Sequence, residues 1–320
     1  MNTLKELWHN LSHSWLVEKN LTQVTENEVA IESMYSLVSL GTERTITTQL
    51  LTKEIAARMV VPYMRGTFQN EFTYGYSLVG RIIDGEKDLI GKVIHVMHPH
   101  QNYAVVKTQD IFFIPEQMNP KLATLVSNME TAVNAIWDAN VEIGDKVLVI
   151  GYGTVGALTA LIASKIPGID ISILEINQNR FNAAVEQGFK VSSILENKDF
   201  DIVFNTSGNA EMLQKAISVT KSEGRIIEMS WYGAKSITIN FGADFHYGRK
   251  QLISSQVSQI PNRKLKNWTY HSRKKLVFKL LQELNPHYLI NCEVHFSETP
   301  KFYNDLRRHE TSGLGVVIKY

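Results

Sequence analysis

Apolar and polar positions change their period part-way along this chain, and the change divides it. Up to about Ile114, short runs separated by turns predict strands at Trp15–Lys19, Val29–Leu37, Gly80–Ile83, Val93–Met97 and Tyr103–Thr108. This is the spacing of a compact, mostly β domain. Thr45–Met59 reads as helical or loop-like, and Pro115 marks the exit. From Pro120 to Ala139 the period turns helical, with Leu122, Leu125, Val126, Met129, Val133, Ile136 and Trp137 mostly three or four apart. Strands and helices then alternate. Val147–Ile150 is an apolar run rich in β-branched residues, as a parallel strand buried on both faces requires. A helix follows to Ala163, then a strand at Ile169–Leu174, a helix at Gln178–Gln187, strands near Val191–Ile194 and at Phe200–Asn205, a helix at Ala210–Thr220 and a strand at Gly224–Met229. Such alternation predicts an open parallel sheet, a doubly wound α/β fold. Ser272–Leu284 is an amphipathic helix, with Leu276, Val277, Leu280, Leu281 and Leu284 on one face and Arg273, Lys274, Lys275 and Lys279 on the polar one. The final strand, Gly315–Tyr320, has no helix after it and is expected to return to the β domain.

Between Ile150 and the next helix stands Gly151-Tyr-Gly153-Thr154-Val155-Gly156. In a strand-turn-helix context each glycine has a use. Gly151 takes the sharp turn, Gly153 leaves room for a pyrophosphate against bare backbone, and Gly156 lets helix and strand lie close. The helix amino end, at Thr154 and Val155, is suited to an anion. The second strand ends in Glu175, an acid placed to accept hydrogen bonds from an adenosine ribose and to repel a 2′-phosphate. NAD(H) is therefore expected over NADP(H), which Arg180 leaves possible. Ser230 and Trp231 end a later strand, where ligands of such sheets sit, although a plain turn would look the same.

Composition narrows the partner. The 320 residues are 44% hydrophobic, enough for two moderate cores, and the net charge is +1 with the signs interspersed. Neither nucleic acid nor an acidic membrane surface is implied. The basic and aromatic stretch Arg263, Lys264, Lys266, Trp268 and Tyr270 reads as a solvated loop, and Asp244–Lys250 as a grip for an anionic substrate or a cap on the domain. A single cysteine, Cys292, excludes a disulfide framework, fits a reducing compartment and is expected in the core. Met1–Leu11 lacks the apolar core of a signal peptide, so a soluble, cytoplasmic protein with a small-molecule substrate is expected.

The order of these parts resembles the medium-chain dehydrogenase/reductase superfamily over nearly the whole chain. Ser39-Leu-Gly-Thr-Glu43 is similar to the segment that carries the first zinc ligand of alcohol dehydrogenases, Tyr74-Gly-Tyr-Ser-Leu-Val-Gly80 to the Gly-His-Glu stretch after it, and Ile143-Gly-Asp-Lys-Val147 to the lead into the nucleotide strand. The first two phrases look closest to a bacterial branch that includes the bacteriochlorophyllide a dehydrogenase type. The resemblance implies a GroES-like β-barrel catalytic domain over 1–122, a Rossmann domain over 123–284 and a return over 285–320, with chain crossings near 125 and 285 acting as a hinge. It also implies that Thr206 and Ser207, in Asn205-Thr-Ser-Gly208, face the cofactor, that substrate binds between the domains, and that two copies pair through the edge of the nucleotide-binding sheet.

The departures bear on the chemistry. Where zinc-dependent members place cysteine and histidine, this chain has Ser39 or Leu40 and Tyr76, with Ser77 for the acid that follows. Only Glu130 matches a ligand or near-ligand position. A serine hydroxyl and a phenol are poor zinc ligands at neutral pH, and the four-cysteine structural lobe is missing, so neither catalytic nor structural zinc is expected. Something else must then move a proton. His95-Val-Met-His98-Pro-His100 offers His98 or His100 as a general acid with a pKa near neutral. Tyr76 and Thr42 are further candidates. A metal held by His98, His100 and Glu130 and a bland surface turn are the competing views of the histidine cluster. The expected activity is an NAD(P)(H)-dependent oxidoreductase that transfers hydride to or from a carbonyl/alcohol or enone/quinone-like substrate. The alternative is a non-catalytic NAD(P)-binding redox sensor or partner subunit.

Overall fold

The computed structural model describes residues 3–195, 199–242, 244–311 and 313–320. In chain order the first half holds β1 (Leu4–His9), β2 (Ser14–Lys19), β3 (Glu28–Val38), α1 (Leu40–Thr48), α2 (Lys53–Met59), β4 (Phe72–Thr73), β5 (Leu78–Asp84), β6 (Val93–Val96), β7 (Tyr103–Lys107), β8 (Ile111–Phe113), α3 (Pro120–Ala123) and α4 (Val126–Ala139). There follow β9 (Lys146–Ile150), α5 (Thr154–Ala163), β10 (Asp170–Leu174), α6 (Gln178–Glu186), β11 (Lys190–Ser192), β12 (Phe200–Asn205), α7 (Ala210–Val219), β13 (Thr220–Glu228), α8 (Asp244–Tyr247) and β14 (Gln251–Ser254). The chain ends with α9 (Asn262–Leu265), α10 (Tyr270–Leu284), β15 (Ile290–His295), α11 (Thr299–Arg307) and β16 (Gly315–Lys319).

Two compact units result. One joins the chain up to Ser127 with Leu281–Tyr320; the other is Asn128–Leu280. In the first, a sheet of order β15-β16-β3-β5-β6-β8, with β7 also on β3, accompanies a three-stranded sheet of order β2-β1-β4. The returning strand β16 pairs antiparallel with β3, Val316 opposite Val38, as its bare end predicted. Val29, Ile31, Leu78, Ile82, Ile94, Val96 and Val106 close one core of this unit. Leu7, Val38, Phe296, Tyr303, Leu306, Val316 and Ile318 close another.

The second unit is a six-stranded sheet of order β11-β10-β9-β12-β13-β14, with parallel neighbours. The order reverses between β9 and β12, where open sheets of this kind bind ligands at their carboxyl ends. Leu148, Ile150, Val203, Ile226 and the α7 residues Leu213, Ala216 and Ile217 form a core on one face. Phe245 packs against it, and Lys250 donates to the Ile217 carbonyl at 2.6 Å. The stretch 244–250 therefore caps its own unit.

Several expectations need correction. The helix expected over Pro120–Ala139 breaks at Thr124, whose carbonyl accepts from Ser77 Oγ at 2.5 Å. Strands β1, β14 and β15 and helix α11 were not expected; in β1 the alternation fails, with Glu6 fully buried beside Leu7, whereas β15 alternates and α11 buries Thr299, Tyr303 and Leu306 on one face. Arg273 and Lys274, assigned to the polar face of α10, are 3% and 4% exposed. Arg263 and Lys264 lie in the short helix α9, with Lys264 Nζ 5.5 Å from the Trp137 ring centre. Cys292 is only half-buried.

Candidate functional site

The glycine turn has the geometry its sequence predicts. Gly151 has φ +93°, and a Cβ on Gly156 would stand 2.1 Å from the Gly151 carbonyl oxygen. Only glycine at 156 lets α5 approach the turn so closely. At Gly153 the space is open: a Cβ there would meet nothing nearer than Arg180 Nη1, at 3.8 Å. Gly153 is also the N-cap of α5, so the first helical N–H groups, from Thr154 and Val155 on, leave the turn here. The Thr206 hydroxyl, at the end of β12, reaches the Gly151 carbonyl at 2.9 Å and the Ile150 carbonyl at 3.0 Å, fixing the turn from the neighbouring strand.

Glu175 is 6% exposed and accepts backbone N–H bonds from Tyr152 and Asn177, each at 2.7 Å. Each of its oxygens keeps a second lone pair for a ligand. Arg180, in the first turn of α6, has a buried Nε with no partner among the described residues. An open glycine cradle, a helix amino end and an unpartnered guanidinium nitrogen fit a dinucleotide. Ser207 Oγ donates to Asn205 Oδ1 at 2.7 Å, and Ser230 Oγ accepts from Gly208 N at 2.9 Å, which binds the ends of β12 and β13 together. Half-buried Trp231 follows directly. Sequence reasoning missed Glu228 here. Its carboxylate accepts from Asn205 Nδ2 at 2.7 Å and from the Tyr232 hydroxyl at 3.3 Å, and burial raises its pKa.

In the β unit the structure gathers Tyr76, Thr42 and Ser39. The hydroxyls of Ser39, the N-cap of α1, and of Thr42 reach the Tyr76 phenol from the start of that helix. Burial, with the nearby Glu43 carboxylate, outweighs them and lifts the phenol pKa to about 12. The Tyr76 phenol therefore holds its proton at neutral pH.

The histidines occupy different ground. His100 is fully buried, its Nδ1 2.7 Å from Ser36 Oγ and its Nε2 3.2 Å from Glu43 Oε2. The same carboxylate accepts from the Tyr303 hydroxyl, and Ser36 Oγ lies 2.7 Å from the Tyr320 hydroxyl. Both nitrogens of His100 are thus spent on joining β3, α1, α11 and the chain end. His98 is 4% exposed, stacks on Tyr63 at 5.0 Å and places Nδ1 2.9 Å from the Pro99 carbonyl oxygen. Burial drives its pKa down to about 4, which corrects the near-neutral acid expected there. Neither ring lies in a surface turn. Glu43 was legible only as part of a family phrase, because nothing local marks an acid that will be fully enclosed.

Glu130, on α4, is 6% exposed and forms buried ion pairs with Lys274 and with Arg273, the latter at 3.3 Å. Arg273 also donates to Asn134 Oδ1 and the Val257 carbonyl, both at 2.8 Å. Among the described residues no group of three or more His, Cys, Asp or Glu could hold a metal ion, and His98, His100 and Glu130 form no such set. Ser39 or Leu40 and Tyr76 stand at the first two ligand positions that the resemblance implies, and the acid at the third, Glu130, is already paired with two cations. A hydroxyl, a phenol and a paired carboxylate are poor zinc ligands at neutral pH.

No protein-family model matches the chain. D-guloside 3-dehydrogenase of Shigella flexneri is 23% identical over 261 residues, 75% of each chain. Among solved structures, L-idonate 5-dehydrogenase of Escherichia coli superposes with a TM-score of 0.79 at 13% identity, over 100% of this chain and 99% of the other. A short chain alcohol dehydrogenase of Escherichia coli CFT073, complexed with NADH, gives 0.76 at 14% identity over 100% of both chains. A zinc-type alcohol dehydrogenase-like protein of Escherichia coli K12 is 22% identical to this chain over 175 residues, 50% of this chain and 49% of the other. The fold is accordingly a GroES-like unit plus a Rossmann unit, the medium-chain dehydrogenase architecture. Sorbitol dehydrogenase of Halalkalibacterium halodurans is 21% identical over 222 residues, and the named relatives of this oxidoreductase-like chain are thus dehydrogenases. No helix among the described residues is long and apolar enough to cross a membrane.

Proposed function

We propose that this chain is a zinc-independent, NAD(H)-preferring dehydrogenase/reductase of the medium-chain type, acting on an alcohol/carbonyl pair of a polyhydroxylated substrate in a reducing, cytoplasmic setting. The observation that carries the proposal is the Tyr76–Ser39–Thr42 group, in which Tyr76 stands where the resemblance would place a zinc-binding histidine and offers a neutral phenol there. The dinucleotide, when bound, carries the hydride. In the reductive direction Tyr76 would give its proton to the substrate carbonyl oxygen, and the phenolate would regain one from solvent before the next turnover. Ser39 and Thr42 meanwhile direct their O–H groups at the phenolate left behind, lowering the cost of the transfer. His100, held by Ser36 and Glu43, acts at a distance by fixing α1, which carries Ser39 and Thr42. The names of the relatives, a guloside and a sorbitol dehydrogenase, favour sugar hydroxyls over the macrocyclic substrate of the bacteriochlorophyllide type and over enones or quinones.

Two measurements test this. Tyr76→Phe should lower turnover of a polyol or sugar roughly 10²–10⁴-fold with the dissociation constant for NADH unchanged, in protein whose metal content is measured alongside. Unchanged turnover removes Tyr76 from the chemistry, and stoichiometric zinc in protein purified without added metal removes the zinc-free proposal. A fluorescence titration should show NADH binding more tightly than NADPH, because a 2′-phosphate would meet the Glu175 carboxylate. Tighter NADPH would give the decisive contact to Arg180 instead.

A further inference from the structure

We propose that the β unit carries a second ligand site, a pocket for a pyranose ring floored by Trp8. An open surface groove of about 610 Å³ is lined by Trp8, Asn10, Gly66, Thr67, Asn70 and Glu71, shallow enough to admit one face of a ring rather than enclose it. Trp8 lies on β1, the central strand of its sheet, between Trp15 on β2 and Thr73 on β4. Its ring is held by its polar edge. Nε1 donates to Glu6 Oε2 at 2.9 Å, and the fully buried Glu6 has its other oxygen 2.7 Å from Arg65 Nη1. The indole is thereby fixed before any ligand arrives, which lowers the ordering cost of stacking against it.

The opposite wall is a tight loop with its own hydrogen bonds. Thr67 N donates to the Glu71 carbonyl at 2.9 Å, Asn70 N to the Thr67 carbonyl at 3.0 Å and Thr73 N to the Arg65 carbonyl at 3.0 Å. Gly66 has φ +76°, and a Cβ there would stand 1.9 Å from the Glu71 carbonyl oxygen, so the loop closes this tightly only around glycine. Along the rim, the Thr67 hydroxyl, the Asn70 amide and the Glu71 carboxylate have no hydrogen-bond partner among the described residues. Asn10 Oδ1 is occupied by Ser12 and His13, which leaves its NH₂ as the group with capacity to spare.

An apolar aromatic face ringed by an amide pair, a hydroxyl and a carboxylate complements one class of ligand well. A pyranose presents a flat C–H face to the indole and neighbouring hydroxyls to planar amide and carboxylate groups. A phosphate is disfavoured, because the Glu71 carboxylate lining the groove would repel it and the Arg65 charge is already offset by Glu6. The site goes beyond the reading above, being separate from the Tyr76 group, and its test needs neither cofactor nor turnover.

Protein labelled with 5-fluorotryptophan contains five indoles, and the Trp8 ¹⁹F resonance is assigned by its loss in Trp8→Phe. Methyl β-D-glucopyranoside and methyl β-D-galactopyranoside should shift that resonance saturably, while acyclic sorbitol leaves it in place. Asn70→Ala combined with Glu71→Ala, both on an exposed loop, should weaken the response about tenfold. No shift with either glycoside, an equal shift with sorbitol, or full affinity in the double variant would overturn the proposal. None of these outcomes touches the dehydrogenase assignment, which stands or falls on NADH binding and Tyr76.

Discussion

His98 illustrates how a residue read as chemistry can instead carry stability. Its imidazole is neutral in the fold because burial, outweighing the bond to the Pro99 carbonyl, drives its pKa from 6.5 to about 4. In the unfolded chain it takes up a proton below pH 6.5, so its contribution is complete above that pH and is lost as pH falls towards 4. The loss amounts to roughly 3 kcal/mol over that window. Urea denaturation at several pH values should show wild-type stability falling more steeply across it than that of His98→Asn; parallel slopes would show that His98 does not ionise on unfolding. His9, fully buried and pushed the same way, persists in both proteins and cancels in the comparison. This role was not legible beforehand, because three histidines near a proline look alike whether they line a cleft or a core. What separates them is the pairing of His100 with Ser36 and Glu43, positions far away in the chain.

At the scale of elements, α4 and α10 show why periodicity located helices more reliably than it assigned their faces. Glu130 is enclosed on α4, where Met129, Ala132 and Val133 are buried too, and a buried carboxylate requires a cation. The cations are Arg273 and Lys274, which the period of α10 had assigned to water. Lys274→Met should cost about 3–5 kcal/mol, since it strips one partner from a buried charge, whereas Glu130→Gln with Lys274→Met should recover a large part of that loss. Equal destabilisation of the single and double variants would mean that packing rather than charge pairing dominates. The glycine turn was fully legible because its constraint is local: Gly151 and Gly156 are demanded by backbone within the same strand-turn-helix unit. The Tyr76 group was half legible, since both phrases stood in the sequence while their meeting depends on how α1 lies against the segment before β5. Strand β1 was not legible, because Glu6 and Leu7 are buried side by side and its burial is set by distant partners rather than by alternation. Strand β15 alternates in both sequence and burial, so its short run was readable although not among the expected strands.

For the whole molecule, the Rossmann sheet ends in two outer strands, β11 and β14. Unpaired sheet edges invite pairing with another chain. Pairing of two copies through such an edge makes a homodimer the expected state, to be checked by light scattering of the purified protein; a monomer across the accessible concentration range would refute it. The return of β16 to β3 has a consequence for how the protein is made. The Rossmann unit is one continuous segment, so a chain leaving the ribosome can finish it while the β unit still lacks its last strands. At about 5–20 residues per second, β3 waits on the order of half a minute for β16 to be synthesised. Over that interval its open edge is a template for any passing strand. Yield in the cell is therefore governed by what shelters residues 28–38 of the nascent chain, a demand that the finished enzyme no longer displays.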